Sequence, residues 1–476
     1  MKFTIPKILI RLLLLILALA IICSMVISYY KVGVNRDSYY YIEISRLILQ
    51  GKSLFVDFPP EYTPLTFYLM CIPFAIFGGS FEVGIFTIYL LHLINSYLVY
   101  RLCVKFIDNK YLAIFTALFS LLLCWLAGGE AYILEPFVLL FGLVSLLVLH
   151  KNKWAPIFLS GLLSFCAFWS KQYGLGFIFI AVVYLSQLNK FNKDLIKKES
   201  YLLAGFIFGL ILFVSKYLFQ GVEINSLSIL SGSDYRRDGI GGFIDAWLYT
   251  FITIPMLLLA MIMLIYKFKD ALRFPLYLMA ICGVFGFMLQ CYVRFYAHYL
   301  ILTRPFCVLL ILAGLLLIKK ETYRRVYTSL FVISLIIPLY FLVKGNLSSI
   351  KDNTRNNQIE LAKEVAKVIP HGAGDVYSGS DLLPILLLNE NGSPYLSKYG
   401  PTNGFVVEAD QAYDLISHAS YCLISDEEYQ TGAKYASSVR DYLANNFQKY
   451  DIEFKDLDGN LKVYYVYKRQ LNQACD

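Results

Sequence analysis

The chain has 476 residues, of which 58% are hydrophobic and only 16% charged, and its formal charge is +8. Soluble domains carry about 25% charged residues, so this composition, with a mean hydropathy of +0.59, excludes a soluble globular protein. Lys and Arg fall mostly at the ends of apolar segments and not on one basic face. That is the positive-inside pattern of membrane topology, and it argues against a nucleic-acid partner.

The first apolar stretch runs from about Ile8 to Tyr29 behind Lys2, Lys7 and Arg11. It is too long for a signal-peptide core and reads as an uncleaved transmembrane helix. Further apolar segments lie near 64–78, 83–103, 111–127, 133–149, 155–169, 173–188, 201–219, 246–266, 275–292, 299–318 and 326–343. If 64–78 spans, Arg101, Lys105 and Lys110 face outside and every later basic loop inverts. That segment is also short and interrupted by Pro73, which suits a helix lying at the interface. The expectation is a polytopic α-helical membrane protein with about eleven transmembrane helices over 1–344, its N-terminus cytoplasmic. The outer loops are then 31–82, 128–132, 170–172, 220–245 and 293–298.

From about 345 the chain turns polar and reads as a small extracytoplasmic α/β domain, 345–476. Helices are expected at Asn357–Ile369, Tyr413–His418 and Tyr429–Asn446. Strands are expected at Asp375–Ser378, Tyr421–Ser425, Tyr450–Phe454 and Leu461–Tyr467, the last two joined by an Asp458-Gly459 turn. Of the ten cysteines, only Cys422 and Cys475 sit in polar sequence. Their spacing leaves a disulfide between them open.

Residues able to carry chemistry collect in the outer loops. The first contains Asp37-Ser38-Tyr39-Tyr40-Tyr41-Ile42-Glu43, then Asp57 and Pro60-Glu61-Tyr62-Thr63-Pro64. Asp37 can cap a helix over 38–50. An aromatic belt explains the tyrosines, but not the acids among them. Glu130 and Glu135 flank the next outer turn, where an ionisable group at the lipid boundary needs a reason. An acid in a helix's first turn is also favoured by the helix dipole. Lys171, the Arg236-Arg237 pair, Arg294, His298 and Arg304 add cations or a titratable ring at later outer helix mouths. Snorkelling or solvation explains any one of them, but Arg and Lys together suit a phosphorylated headgroup. As outer-rim groups, Lys171, Arg236, Arg237 and Arg294 are expected to be hydrated, with little stability resting on them.

The Asp37-Ser38-Tyr39-Tyr40-Tyr41 stretch, the helix to Gly51, the acidic aromatic-proline segment and Pro64-Leu65-Thr66-Phe67-Tyr68 resemble the first periplasmic loop of GT-C glycosyltransferases. The likeness is to the family 39 type, the protein O-mannosyltransferases and aminoarabinose transferases of lipid A. Ser38 stands where that family often has a second acid. By the resemblance, Asp37 and Glu135 are the catalytic carboxylates, and Lys171 matches a recurring Lys after the fifth span. The resemblance implies a polyprenyl-phosphate sugar donor, its phosphate held by Lys171, Arg236, Arg237, Arg294 and Arg304. Sugar and acceptor would lie against Glu43, Glu61, Tyr62, Glu130 and His298. Transfer would be inverting, of a hexose or pentose, to a glycan, lipid or protein acceptor at the outer face of a bacterial plasma membrane. A divalent metal on Asp37, Glu130 or Glu135 is compatible with their hard oxygen ligands, though the sequence specifies no cofactor. A transporter or flippase would instead show broken helices and mid-membrane charges. A non-catalytic envelope assembly protein would keep the fold and do without Asp37.

Overall fold

A computed structural model describes residues 7–34, 36–56, 63–131, 133–189, 194–222, 239–271, 274–293, 296–352, 354–369, 376–378, 413, 416–417, 419–431, 437–455 and 461–470. The chain forms two compact units. One comprises residues 1–28, 61–66 and 87–348; the other comprises 29–60, 67–86 and 349–476.

The first unit is a helical bundle. Its elements are α1 (Lys7–Lys31), most of α4 (Phe81–Cys103), α5 (Lys110–Cys124), α6 (Glu135–Leu149), α7 (Trp154–Ser170), α8 (Gly176–Leu188) and α9 (Leu195–Phe219). They are followed by α10 (Gly239–Thr253), α11 (Pro255–Tyr266), α12 (Phe268–Ala271), α13 (Pro275–Met288), α14 (Gln290–Val293), α15 (Arg304–Leu317), α16 (Glu321–Ser334) and most of α17 (Ile336–Asp352). By length and composition, six helices among the described residues can cross a membrane, or seven if one bent pair is a single span. Shorter apolar helices complete the set, among them α3 (Leu65–Phe77) with Pro73 inside it.

Outer helices turn apolar side chains to the surroundings. On α1, Leu15, Leu19, Ile22 and Val26 are exposed while Leu17 and Ile21 are buried. In a lipid solvent this costs nothing, so association rests on close packing. Helices α7 and α9 meet through small residues: a Cβ on Gly161 would lie 1.9 Å from the Leu202 carbonyl oxygen, and one on Gly205 2.0 Å from that of Phe158. Helix α15 is the centre, buried from Arg304 through Leu315 and packed by α5, α11 and α13.

Two departures from the sequence reading have local causes. The segment 246–266, expected as one helix, is α10 and α11 joined at 102°. Pro255 supplies no N–H and pushes Ile254 out of the helical region, to φ −136° and ψ 69°. The segment 111–127 continues past α5 as a π-type turn, Trp125–Gly129, in which Gly128 sits at φ 95°.

The second unit holds α2 (Arg36–Leu49), most of α3, α18 (Thr354–Ala366) and a four-stranded sheet. Helix α2 packs on α3 through Tyr41 and Phe67, ring centroids 6.1 Å apart, and through Cys71, whose thiol donates to the Ser45 carbonyl at 3.4 Å. The loop before α2 is fastened to α18. The Val34 N–H donates to Gln358 Oε1 at 2.8 Å, and Gln358 Nε2 donates back to the Val34 carbonyl at 2.9 Å. Arg355 donates to the Tyr29 carbonyl and pairs with Glu82 at 2.5 Å.

The strands are β1 (Val376–Ser378), β2 (Tyr421–Ser425), β3 (Phe447–Lys455) and β4 (Leu461–Arg469), in the order β1-β2-β4-β3. β1 and β2 are parallel and the other pairs antiparallel. Helices α19 (Asp426–Thr431) and α20 (Ser437–Asn446) fall on the stretch expected as a helix over 429–446, of which 432–436 lie outside the described residues. Cys422 is a free, buried thiol in the sheet core, whereas Cys475 and the Asp458-Gly459 turn lie outside the described residues.

Candidate active site

Within the bundle, three titratable groups from separate elements meet. Glu135 opens α6, Lys171 follows the end of α7, and His298 lies in a 3₁₀ turn, Ala297–Leu302, that leads into α15. Lys171 Nζ donates to Glu135 Oε1 at 2.5 Å, with side-chain exposures of 1% and 0%. His298 Nε2 stands 3.9 Å from the same oxygen. Among the described residues the second oxygen, Glu135 Oε2, has no hydrogen-bond partner. The Lys171 ammonium also lies over the Tyr299 ring at 4.7 Å. An ion pair so dehydrated needs a close counter-charge, and here the two charges supply one another.

The π-type turn frames this group. Its left-handed Gly128 faces His298: a Cβ there would meet the His298 Cβ at 3.3 Å. Trp125 Nε1 donates to Ser24 at 2.8 Å, and Asn95 Nδ2 to the Pro136 carbonyl at 2.8 Å, which ties α1 and α4 to the same end. Glu130, just beyond the turn, is partly buried, and desolvation lifts its carboxyl above the ordinary range.

Arg304, the first residue of α15, is 1% exposed. Among the described residues none of Nε, Nη1 or Nη2 has a hydrogen-bond partner. Its guanidinium carbon sits 5.4 Å from the Tyr249 ring centre, and Tyr249 donates to the Leu126 carbonyl. The buried hydroxyls of Thr250 and Thr303, neighbours in sequence of Tyr249 and Arg304, also lack partners among the described residues. A guanidinium with five unused donors is a strong anion receptor.

In the second unit, Asp37 is the second residue of α2. The helix begins at Arg36, so Asp37 lies inside the first turn and not at the cap position expected for it. There its charge complements the helix dipole. One helical turn and a half further on, Glu43 is 2% exposed and 3.4 Å from Arg46. Burial pushes its carboxyl up to about 7 against the pull of Arg46.

No family model matches the chain, and a search of the curated proteins finds no match. Solved structures do resemble it. The aminoarabinose transferase ArnT from Cupriavidus metallidurans bound to undecaprenyl phosphate superposes with a TM-score of 0.60 at 13% identity, over 96% of this chain and 98% of that one. The oligosaccharyltransferase AglB from Archaeoglobus fulgidus, in complex with an inhibitory peptide and a dolichol-phosphate, gives 0.52 at 12% identity, over 96% and 74%. Both are GT-C proteins. The chain has the GT-C fold.

In this GT-C bundle, the expected residues Glu135, Lys171 and His298 come together, and Arg304 lies six positions beyond His298. Lys171 departs from the expectation of a hydrated rim cation: it is buried and already faces a carboxylate. Asp37 and Glu43 belong to the other unit. Glu61, Tyr62, Arg236, Arg237 and Arg294 lie outside the described residues. Among the described residues no group of three His, Cys, Asp or Glu side chains is placed to hold a metal ion. With Glu135 Oε1 engaged by the Lys171 ammonium, the described residues do not fit a metal centre. Sequence reasoning missed His92, 1% exposed in α4 with Nε2 unpartnered among the described residues, 6.1 Å from Trp125 between ring centres. A histidine inside an apolar span was the signal.

Proposed function

We propose that this GT-C protein is a glycosyltransferase that moves a sugar from a polyprenyl-phosphate donor to an envelope acceptor. The observation that carries the reading is the buried Arg304 with its unused donors, in a fold whose solved relatives hold undecaprenyl phosphate or a dolichol-phosphate. An uncompensated buried cation is costly, and a phosphate supplies the missing anion.

In the proposed reaction an acceptor hydroxyl attacks the anomeric carbon while the bond from that carbon to the phosphate oxygen breaks. The electron pair leaves on the phosphate, and Arg304, with Arg236, Arg237 and Arg294, stabilises the charge that develops there. Asp37 takes the acceptor proton as general base, giving inversion. Lys171 acts mainly on Glu135, keeping that carboxylate ionised and fixed beside the sugar, with His298, Glu43, Glu61, Tyr62 and Glu130 as further sugar or acceptor contacts. The membrane would be a bacterial plasma membrane with the site on its outer side.

Binding of undecaprenyl phosphate to the purified protein tests the reading. Arg304→Gln should weaken it at least tenfold, since hydrogen bonds to charged groups are worth about 1.5–3 kcal/mol. Unchanged binding would remove Arg304 from the site. One observation favours a transporter instead, the 102° break between α10 and α11. Counterflow of a lipid-linked sugar in proteoliposomes lacking any acceptor would support that alternative.

A further inference from the structure

At the opposite kind of surface, away from every candidate site residue in the sequence, the helix ends Tyr266–Asp270 and Leu317–Tyr323 enclose a cavity of about 520 Å³ with the neighbouring turns of α11 and α16. Its floor is apolar: Leu259, Met263, Ile318 and the buried Tyr327 line it, the last donating to the Ile311 carbonyl at 3.1 Å. Its rim is cationic. Lys267, Lys319 and Lys320 line it against a single acid, Asp270. Two aromatic rings stand at the same level, Lys267 over Tyr266 at 5.1 Å and Lys320 over Tyr323 at 4.8 Å. Helix α16 starts here from Lys320 without a side-chain cap, and the acid of its first turn, Glu321, is paired with Arg324 and Arg325.

The rim sits where apolar spans give way to basic sequence, with Tyr266 79% and Val326 53% exposed beside it. A polar rim of lysines and tyrosines above an apolar floor, beside exposed apolar surface, matches an amphiphile with an anionic head. A soluble anion leaves the apolar lining unused, whereas an amphiphile engages lining and lysines together. We infer that this cavity binds an anionic glycerophospholipid of the bilayer, phosphate against Lys267, Lys319 and Lys320 and acyl chain along the floor. The inference is independent of the glycosyltransferase reading.

The experiment uses the full-length protein, delipidated in detergent and titrated by native mass spectrometry. The probes are phosphatidylglycerol, phosphatidylcholine, undecaprenyl phosphate and inorganic phosphate. Phosphatidylglycerol should bind at least tenfold more tightly than phosphatidylcholine. A juxtamembrane lysine contributes about fivefold, so Lys267→Gln/Lys319→Gln/Lys320→Gln should lose on the order of a hundredfold. Lys105→Gln/Lys151→Gln/Lys153→Gln, which removes the same charge from other loops, should change little, and melting of both variants should stay near that of the parent. Equal binding of the two glycerophospholipids, or equal losses in the two triple variants, overturns the inference. So does full displacement by equimolar inorganic phosphate, or a preference of this cavity for undecaprenyl phosphate.

Discussion

The Lys171–Glu135 pair is almost wholly out of solvent, and that decides what its removal does. Lys171→Met strands a buried carboxylate, for which the expected cost is about 3–5 kcal/mol. The double change Lys171→Met/Glu135→Leu should recover most of this, because an apolar pair leaves no charge unmatched. Thermal melts of the three proteins check the point, and a Lys171→Met melt equal to the parent's would refute the pairing. Glu43 gives a pH signature. Its carboxyl is raised from 4.5 to about 7, so the folded state holds a proton over that interval that the unfolded state has lost. Its contribution to stability is therefore full below about pH 4.5 and is lost as pH rises through 7. Glu43→Gln should flatten this slope, measured as melting temperature between pH 4.5 and 8. Asp37→Asn keeps the volume and loses the charge. As a dipole partner alone it is worth about 0.3–1 kcal/mol, whereas loss of the general base should lower transfer by about 10²-fold or more. Asp57→Asn, the same change on the same loop, should leave transfer near the parent's level.

At the level of elements, the turn after α5 holds the position of His298. Gly128→Ala forces an L side chain into φ 95° and towards the His298 Cβ. The left-handed backbone costs about 1–2 kcal/mol, and displaced His298 should add a loss of turnover. Gly221→Ala is the matched comparison, with φ 76° and nothing within 4 Å; it should show the backbone cost and keep activity. Hydropathy made the helices of the bundle legible, because each apolar run of sufficient length has only one economical form in lipid. The short apolar and aromatic runs Tyr421–Ser425 and Leu461–Tyr467 did the same for β2 and β4. What stayed hidden depends on meetings across the chain. Glu135 and Lys171 are 36 residues apart, and nothing local says they pair. The burial of Arg304 follows from α15 being central, which its composition shares with peripheral helices. The break at Ile254-Pro255 shows in the sequence only as a proline, which a long apolar span can also carry without a sharp bend.

At the scale of the whole molecule, the GT-C arrangement persists at 12–14% identity to its solved relatives. Bundle packing in lipid asks for apolar surface and small residues at crossings, which many sequences meet. Few positions are as constrained as a buried Arg304 or a left-handed Gly128. The second unit adds a demand of timing. Val34 and Gln358, which exchange two hydrogen bonds, are 324 residues apart. At about 5–20 residues per second of synthesis, the loop ahead of α2 waits on the order of tens of seconds for its partner to be made. Through that interval the bundle can insert helix by helix and α2 can pack on α3, while the loop ahead of α2 lacks its two hydrogen bonds to Gln358. A nascent chain arrested before α18 should therefore present residues 29–34 to an added protease, and one arrested after β4 should protect them. The newborn protein would thus carry an unfastened loop until its distal segment arrives, a built-in delay between entering the membrane and completing the second unit.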